Sequence, residues 1–337
     1  MPDGAIAVGQ AEDHRIRFFD ATGRDAGSFG RLGAGPGEFR SVGLAGMIGD
    51  TLWVSDGQNY RITYIGPDHK LVRSERLTPA IKANSADEHP LPSGSSAGLI
   101  PLGRYPDGTV LTDIRAPTNQ PRPAWFPPDA LGAVWVRVST DGLFRKIIAI
   151  GPPPRQDCRF SGTAGPFHAT GSVPFCDPSM RQVAGDGSRI AFVIGNAVAG
   201  SPMTYRVLVI ATTGDTLFTR TYDYRPVAIP KRVIDSVIAF VARTVPDEAA
   251  LFRQMPFPAN YPPVLRLFNG VDRTMWVEEP ATTPGHHWRV LDAKGEPVGT
   301  LIVPGSVELV AATRHLAWGI DTDADGLQSI VQWRIGD

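Results

Sequence analysis

Long apolar runs are missing from this chain. No stretch of its 337 residues approaches the roughly 18 consecutive apolar positions of a membrane-spanning helix. An excess of either charge is missing too: 33 Lys and Arg face 34 Asp and Glu, for a net charge of −1. Without a basic patch the chain lacks the electrostatic footprint of a nucleic-acid binder. Cysteine is scarce, with only Cys158 and Cys176 inside a Pro- and Gly-rich stretch. A disulfide between them would stabilise that loop by roughly 3 kcal/mol on chain-entropy grounds. The alternative is a pair of free thiols in a reducing compartment. Their closeness in sequence favours the disulfide and an oxidising compartment.

What the chain has in quantity is turn formers, 36 glycines and 31 prolines. They are spread evenly, as many short connections require, rather than gathered as in a disordered tail. Between them lie apolar runs or alternations of four to eight residues rich in Val, Ile, Leu and Trp, the pattern of strands. Six units share one order: an Asp-Gly-type turn, a strand ending in a polar residue, a second strand, a turn such as DATG, STDG, TTGD or DAKG, and an outer strand. Self-similarity at about 40 to 50 residues marks propeller blades or a solenoid, and strand-only units favour the propeller. The expected fold is all-β, one six-bladed β-propeller domain over residues 1–337, with blades at about 2–31, 32–77, 97–150, 180–225, 264–303 and 306–337. The first unit lacks an innermost strand and the last stops after three. About 15 to 30 further residues upstream of Pro2 are therefore expected in the native chain to complete the ring, unless the first and last units close imperfectly.

The stretch GRLGAGPGEFRSVGLAGMIGDTLWVSDGQNYRITYI, from Gly30, resembles an NHL repeat. Gly33, Gly35, Pro36, Gly37, Phe39, Val54, Asp56, Asn59, Arg61 and Ile62 stand in that family's signature places. The likeness covers residues 23–65 and extends in part to His14, Arg15 and Ile16. The glycines then belong to a sharp path between blades, where positive φ is needed. GAGPG lacks the Lys-Ser/Thr and following helix of a phosphate loop. The resemblance implies a six-bladed propeller of the bacterial envelope, periplasmic, anchored to the outer membrane as a lipoprotein, or secreted, and a monomer is expected.

One segment departs from the strand pattern. Residues 229–263 carry Val233, Val237 and Val241 in step, with Ile234 and Ile238 beside them, which is one face of a helix. Pro246 with Asp247 and Glu248 opens a second, shorter helix. This short helical excursion between blades four and five is either a lid over the channel or a decoration packed on the side, the second being preferred.

Candidate site residues come from comparing units. The second strands end at Gln10, Asp56, Asp113, Asn196, Glu278 or Glu279, and Asp321, one oxygen-bearing side chain each. Facing one mouth, Asp56, Asp113, Asn196, Glu278 and Asp321 would form a ring of hard oxygens suited to Ca²⁺. The resemblance to six-bladed lactonases and strictosidine-synthase-like proteins implies such a channel calcium. The competing reading has each Asp capping its own turn. DTDADG (321–326) alternates carboxylates like an EF-hand loop, but Gln332 replaces the twelfth-position Glu, so a hairpin tip is expected. GSSAG (94–98) matches a nucleophile elbow without the strand-turn-helix setting that motif needs. His89 and His168, in loops, are candidate general bases. His286 and His287 are adjacent, so in a strand they point to opposite faces. Trp125 and Phe126 offer an apolar wall for a ligand, and Arg61 and Arg115 join them as candidate ligand contacts.

Two functions follow. The first is a binding or scaffold propeller that recognises a small molecule, peptide or protein through loops at one face. The second is a calcium-dependent hydrolase or lyase at the channel mouth, with a loop histidine as base.

Overall fold

The computed structural model describes the chain except residues 2–3, 79–100, 115–132, 152–157, 165–166, 177–179, 196–202, 247–248 and 336–337. Twenty-four strands and two helices are present among the described residues. The fold is the expected all-β six-bladed β-propeller, in six meanders taken in chain order. The first is β1 (Ile6–Gln10), β2 (Arg15–Phe19) and β3 (Asp25–Phe29). The second is β4 (Ala45–Ile48), β5 (Thr51–Asp56), β6 (Arg61–Ile65) and β7 (Leu71–Arg76). The third is β8 (Gly103–Arg104), β9 (Val110–Ile114), β10 (Val134–Val138) and β11 (Phe144–Ile150). A two-stranded hairpin of β12 (Arg159–Ala164) and β13 (Phe167–Ser172) intervenes. The fourth meander is β14 (Met180–Val183), β15 (Arg189–Gly195), β16 (Thr204–Ala211) and β17 (Thr216–Asp223). Helices α1 (Lys231–Thr244) and α2 (Ala249–Phe252) follow. The fifth meander is β18 (Arg266–Asn269), β19 (Met275–Glu279), β20 (His286–Leu291) and β21 (Pro297–Val303), and the sixth is β22 (Val307–Ala312), β23 (Leu316–Thr322) and β24 (Gln328–Arg334).

The hairpin turns explain why the units repeat. Asp20, Asp292 and Asp323 each open a D-A-x-G turn and accept the N–H groups two and four residues on. A short carboxylate at that place satisfies turn amides that no strand partner reaches. DTDADG is therefore a hairpin tip between β23 and β24, with Asp323 as its cap. His14 and Tyr60 hold equivalent left-handed places (φ 53° and 47°) just before Arg15-Ile16 and Arg61-Ile62, a second echo of the repeat.

The described chain falls into two compact units. Unit one is Met1–Pro152, Val183–Ile190 and Ile210–Thr216; unit two is Pro153–Gln182, Ala191–Val209 and Leu217–Asp337. In unit one, Ile16, Phe18, Phe39, Leu52, Val54 and Ile65 form one core, and Trp53, Ile62, Tyr64, Val110, Val134, Val136 and Phe144 another. Both faces of β5 and β6 are covered, so every residue of β6 is buried, whereas β3 and β7 are mostly exposed and polar. Continuous apolar middle strands and polar outer strands follow from that layering. In unit two, Tyr205, Val207, Tyr222, Met275 and Val277 make one core, and Trp276, Trp288, Val307, Leu309 and Ala317 another.

Cys158 and Cys176 form the expected disulfide, with a Cα–Cα distance of 5.4 Å, at the base of the β12–β13 hairpin. The bond points to an oxidising, extracytoplasmic compartment. The helical excursion meets this hairpin: α2 buries Ala249 and Leu251, Leu251 packs on Gly162, and Phe175 meets Tyr261 edge-on at 5.6 Å. No residue of α1 is fully buried, and Phe240 is 58% exposed. No helix among the described residues is long and apolar enough to cross a membrane.

Candidate functional site

The expected ring position serves different purposes in the two units. In unit one, Asp56 ends β5 and is fully buried. Its carboxylate accepts five hydrogen bonds: from Arg40 N (2.9 Å), Ser41 N (3.2 Å), Ser41 Oγ (3.0 Å), Asn59 N (3.1 Å) and Asn59 Nδ2 (2.7 Å). Burial pushes its pKa up, but the bonds from Arg40, Asn59 and Ser41 outweigh burial and hold it below the ordinary 3.8. Asn59 also donates to Gly33 O at 2.9 Å. Arg61, expected as a ligand contact, sends Nη1 to Ala34 O (3.0 Å) and Nη2 to Glu38 O. Asp56, Asn59 and Arg61 thus strap the connector 30–41 onto the second blade. Gly30 (φ 101°) and Gly37 (φ 77°) let that connector bend, and Phe39 plugs the core beneath it.

In unit two, Glu278 stands one residue before the end of β19, and here the partners are side chains. Hairpin register sets Glu278 opposite Arg266 on one side and Trp288 on the other. Arg266 Nε lies 2.5 Å from Glu278 Oε2, and His286 Nδ1 lies 2.7 Å from Oε1. Arg266 Nη2 is 3.1 Å from His286 Nδ1, and its Nη1 is 3.5 Å from Glu308 Oε1. The guanidinium sits 5.4 Å from the centre of the Trp288 ring. Glu278 is 4% exposed at its side chain and Glu308 is 66% exposed, so the cluster runs from the interior to solvent.

This cluster borders an open cleft of about 450 Å³. Its walls are the first strands of three successive meanders: Met180, Arg181 and Gln182 of β14, Arg266, Leu267 and Phe268 of β18, and Glu308, Leu309 and Val310 of β22, with Trp288 behind. Asn269 Nδ2 donates to Gln182 O (3.3 Å), joining β18 to β14 directly. The cleft is open and mixed in character, with Arg181, Gln182, Arg266 and Glu308 set among apolar side chains.

His286 and His287 point to opposite faces, as adjacency in a strand requires: His286 meets Glu278, while His287 Nε2 pairs with Thr283 Oγ1 at 3.0 Å. A second cleft, of about 520 Å³, opens on the His287 face beside Glu279, Arg289, Thr300 and Ile302. Glu279 there accepts from Tyr205 OH (2.6 Å) and from Arg289 Nε (2.9 Å), and burial with Glu279's charge drives the Tyr205 pKa upward.

The remaining expected site residues lie on separate elements. Asp113 lies within β9, across from Trp135, and Asp321 lies within β23, across from Val307 and Ser329. His168 is in β13. His89, Arg115, Trp125, Phe126, Asn196 and the GSSAG stretch fall outside the described residues. Among the described residues no group of three or more His, Cys, Asp or Glu gathers at metal-holding distance. A calcium shell takes about six to eight oxygens. Asp56 and Glu278 have their oxygens turned to N–H and O–H donors, so these two do not fit such a shell as placed.

Arg266, Trp288 and Glu308 escaped the reading by strand ends. One signal was available for the first: counting back from the turn between Asn269 and Met275 places Arg266 opposite Glu278. The neighbourhood of β14, β18 and β22 brings together meanders far apart in sequence, within unit two, and has no local signature.

No family model matches the sequence, and no curated protein sequence matches it. Solved structures similar in fold include a protein described as exported, from Bacteroides fragilis NCTC 9343, at 11% identity over 95% of this chain and 77% of the other, TM-score 0.46. A member of the DUF4221 family from Bacteroides vulgatus is similar at 13% identity over 95% and 86%, TM-score 0.46. Virginiamycin B lyase from Staphylococcus aureus, with quinupristin, is similar at 12% identity over 98% and 81%, TM-score 0.34. None of these values carries a functional argument.

Proposed function

We propose that the chain is a binding propeller of the bacterial envelope, NHL-like in its blade connectors, that takes a small molecule or peptide segment in the cleft of β14, β18 and β22. The observation that carries this is the cleft itself: about 450 Å³, walled by three successive first strands, with Leu267, Phe268, Leu309 and Val310 beside Arg181, Arg266 and Glu308. Sites of about 300–1,000 Å³ with that balance are where ligands bind. The disulfide supports placement outside the cytoplasm, whether in the periplasm, at the outer membrane or secreted. The test fills the cleft. Val310 is 49% exposed, so Val310→Trp occupies the space with little strain on the core. Ligands found by thermal-shift screening should bind the native protein and not this variant; equal binding to both would place recognition elsewhere.

One observation favours an enzyme as the second reading. Glu278 holds His286 by Nδ1, and His286 Nε2 has no partner among the described residues, which is how a carboxylate orients a general base. No step is routed through calcium, because Asp56 and Glu278 do not fit its shell. Turnover of a lactone and ester panel that disappears in His286→Ala would support this reading; no turnover, or turnover untouched by that change, would end it.

A further inference from the structure

We infer that the cleft selects an amphipathic monocarboxylate, whose anion takes the Nη1 edge of Arg266 that Glu308 now faces; this rests on the binding reading above. Arg266 presents three donor groups: Nε donates to Glu278 at 2.5 Å, while Nη2 lies 3.1 Å from His286 Nδ1, a nitrogen that gives its own hydrogen to Glu278 and so does not accept from Nη2. The third, Nη1, meets Glu308 at 3.5 Å among the described residues, too far for a good hydrogen bond. Glu308 is itself 66% exposed, so its carboxylate holds that place weakly and leaves it at little cost. An arginine fork donates two parallel hydrogen bonds to a carboxylate offered in its plane. Arg181 lines the same cleft. Beyond Arg181, the wall's Leu267, Phe268, Leu309 and half-exposed Val310 suit a short aliphatic or aromatic body and bring no further cation. Glu308 thus occupies the position of the ligand's own anion, and removing its charge should strengthen binding rather than weaken it.

The test is calorimetric titration with octanoate and with octanol, the same body without the anion. Octanoate should bind the native protein and octanol more weakly. Glu308→Gln should tighten octanoate about two- to five-fold, the range of an exposed ion pair, and leave octanol unchanged. Added salt should weaken octanoate only. Arg266→Lys, which keeps Glu278 paired while losing the fork, should weaken octanoate. Octanol binding as well as octanoate, with Glu308→Gln silent, would overturn the carboxylate assignment and leave the binding reading standing. If neither probe binds, the assignment falls as well; the binding reading then stands or falls on whether other ligands are blocked by Val310→Trp.

Discussion

Replacing Asp56 with alanine should destabilise the protein by about 4 kcal/mol, and calcium should not alter that loss. The magnitude comes from its partners. The backbone N–H groups of Arg40, Ser41 and Asn59 all point at this carboxylate, and alanine leaves the three without an acceptor. Hydrogen bonds to a charged group contribute roughly 1.5–3 kcal/mol each. Arg40 and Gln58 are exposed, so water can reach part of the site and the full sum is not lost. Asp56→Asn keeps one acceptor oxygen and should lose about half as much. The assay is urea unfolding followed by tryptophan fluorescence, since Trp53 is 1% exposed in the same strand. The pH dependence carries its own sign. The folded pKa of Asp56 is depressed, so its contribution is complete above the ordinary 3.8 and is lost as pH falls through the lower folded value. The stability gap between native protein and Asp56→Asn should therefore close in strong acid. An alanine variant within about 1 kcal/mol of native, the ordinary cost of any substitution, would refute the strap. So would a calcium-dependent rise in the native midpoint that Asp56→Asn abolishes.

Three further outcomes are expected. Replacing Cys158 and Cys176 together with serine should remove up to about 3 kcal/mol, given their separation of 18 residues, and hydrogen exchange should quicken first in β12 and β13. Arg104, 1% exposed, binds Tyr64 OH (2.5 Å), Glu75 (2.7 Å) and Thr109 O (2.8 Å), so Arg104→Met should lose roughly 3–5 kcal/mol in unfolding experiments, and adding Glu75→Met should restore part of it. Burial pushes Tyr105 and Tyr222 up to about 12, so ultraviolet titration should find them protonated where free tyrosine is half ionised. Because the folded pKa is the higher one, their contribution is whole below about 10 and fades as pH rises toward the folded value.

What the sequence made legible is what neighbouring residues decide. D-A-x-G turns, apolar middle strands and the helical step of Val233, Val237 and Val241 are local, and the structure has them as turns, strands and α1. The disulfide was legible because both cysteines close one short loop. The Asp56 strap was half legible: the spacing of Asp56, Asn59 and Arg61 was visible, but that all three reach back some 15 to 27 residues to the connector was not. The clustering of Arg266, His286 and Trp288 with Glu308 needed the fifth and sixth meanders to stack, and no periodicity reports a contact of that kind. The exposure of Phe240 was equally hidden, because helical spacing gives a face and not its cover.

Asp56 and Glu278 show why a repeat locates a position and leaves its role open. Asp56 ends the second strand of its meander and Glu278 stands one residue before the end of its own; both are buried, and both are carboxylates held by several donors. Three of the donors on Asp56 are backbone amides, which cannot move without unfolding the connector. The donors on Glu278 are Arg266 and His286, side chains 33% and 28% exposed, which can rotate and exchange partners. A backbone-held carboxylate is fixed, whereas a carboxylate held by side chains at a cleft edge can pass charge or orientation to whatever enters. On that ground Glu278→Gln should cost stability, as Asp56→Asn does, and should also change ligand affinity in the cleft. Asp56→Asn should leave that affinity as it was. Equal effects of the two substitutions on affinity would mean that the cleft senses global stability, and that the Arg266–Glu278–His286 cluster has no role of its own in recognition.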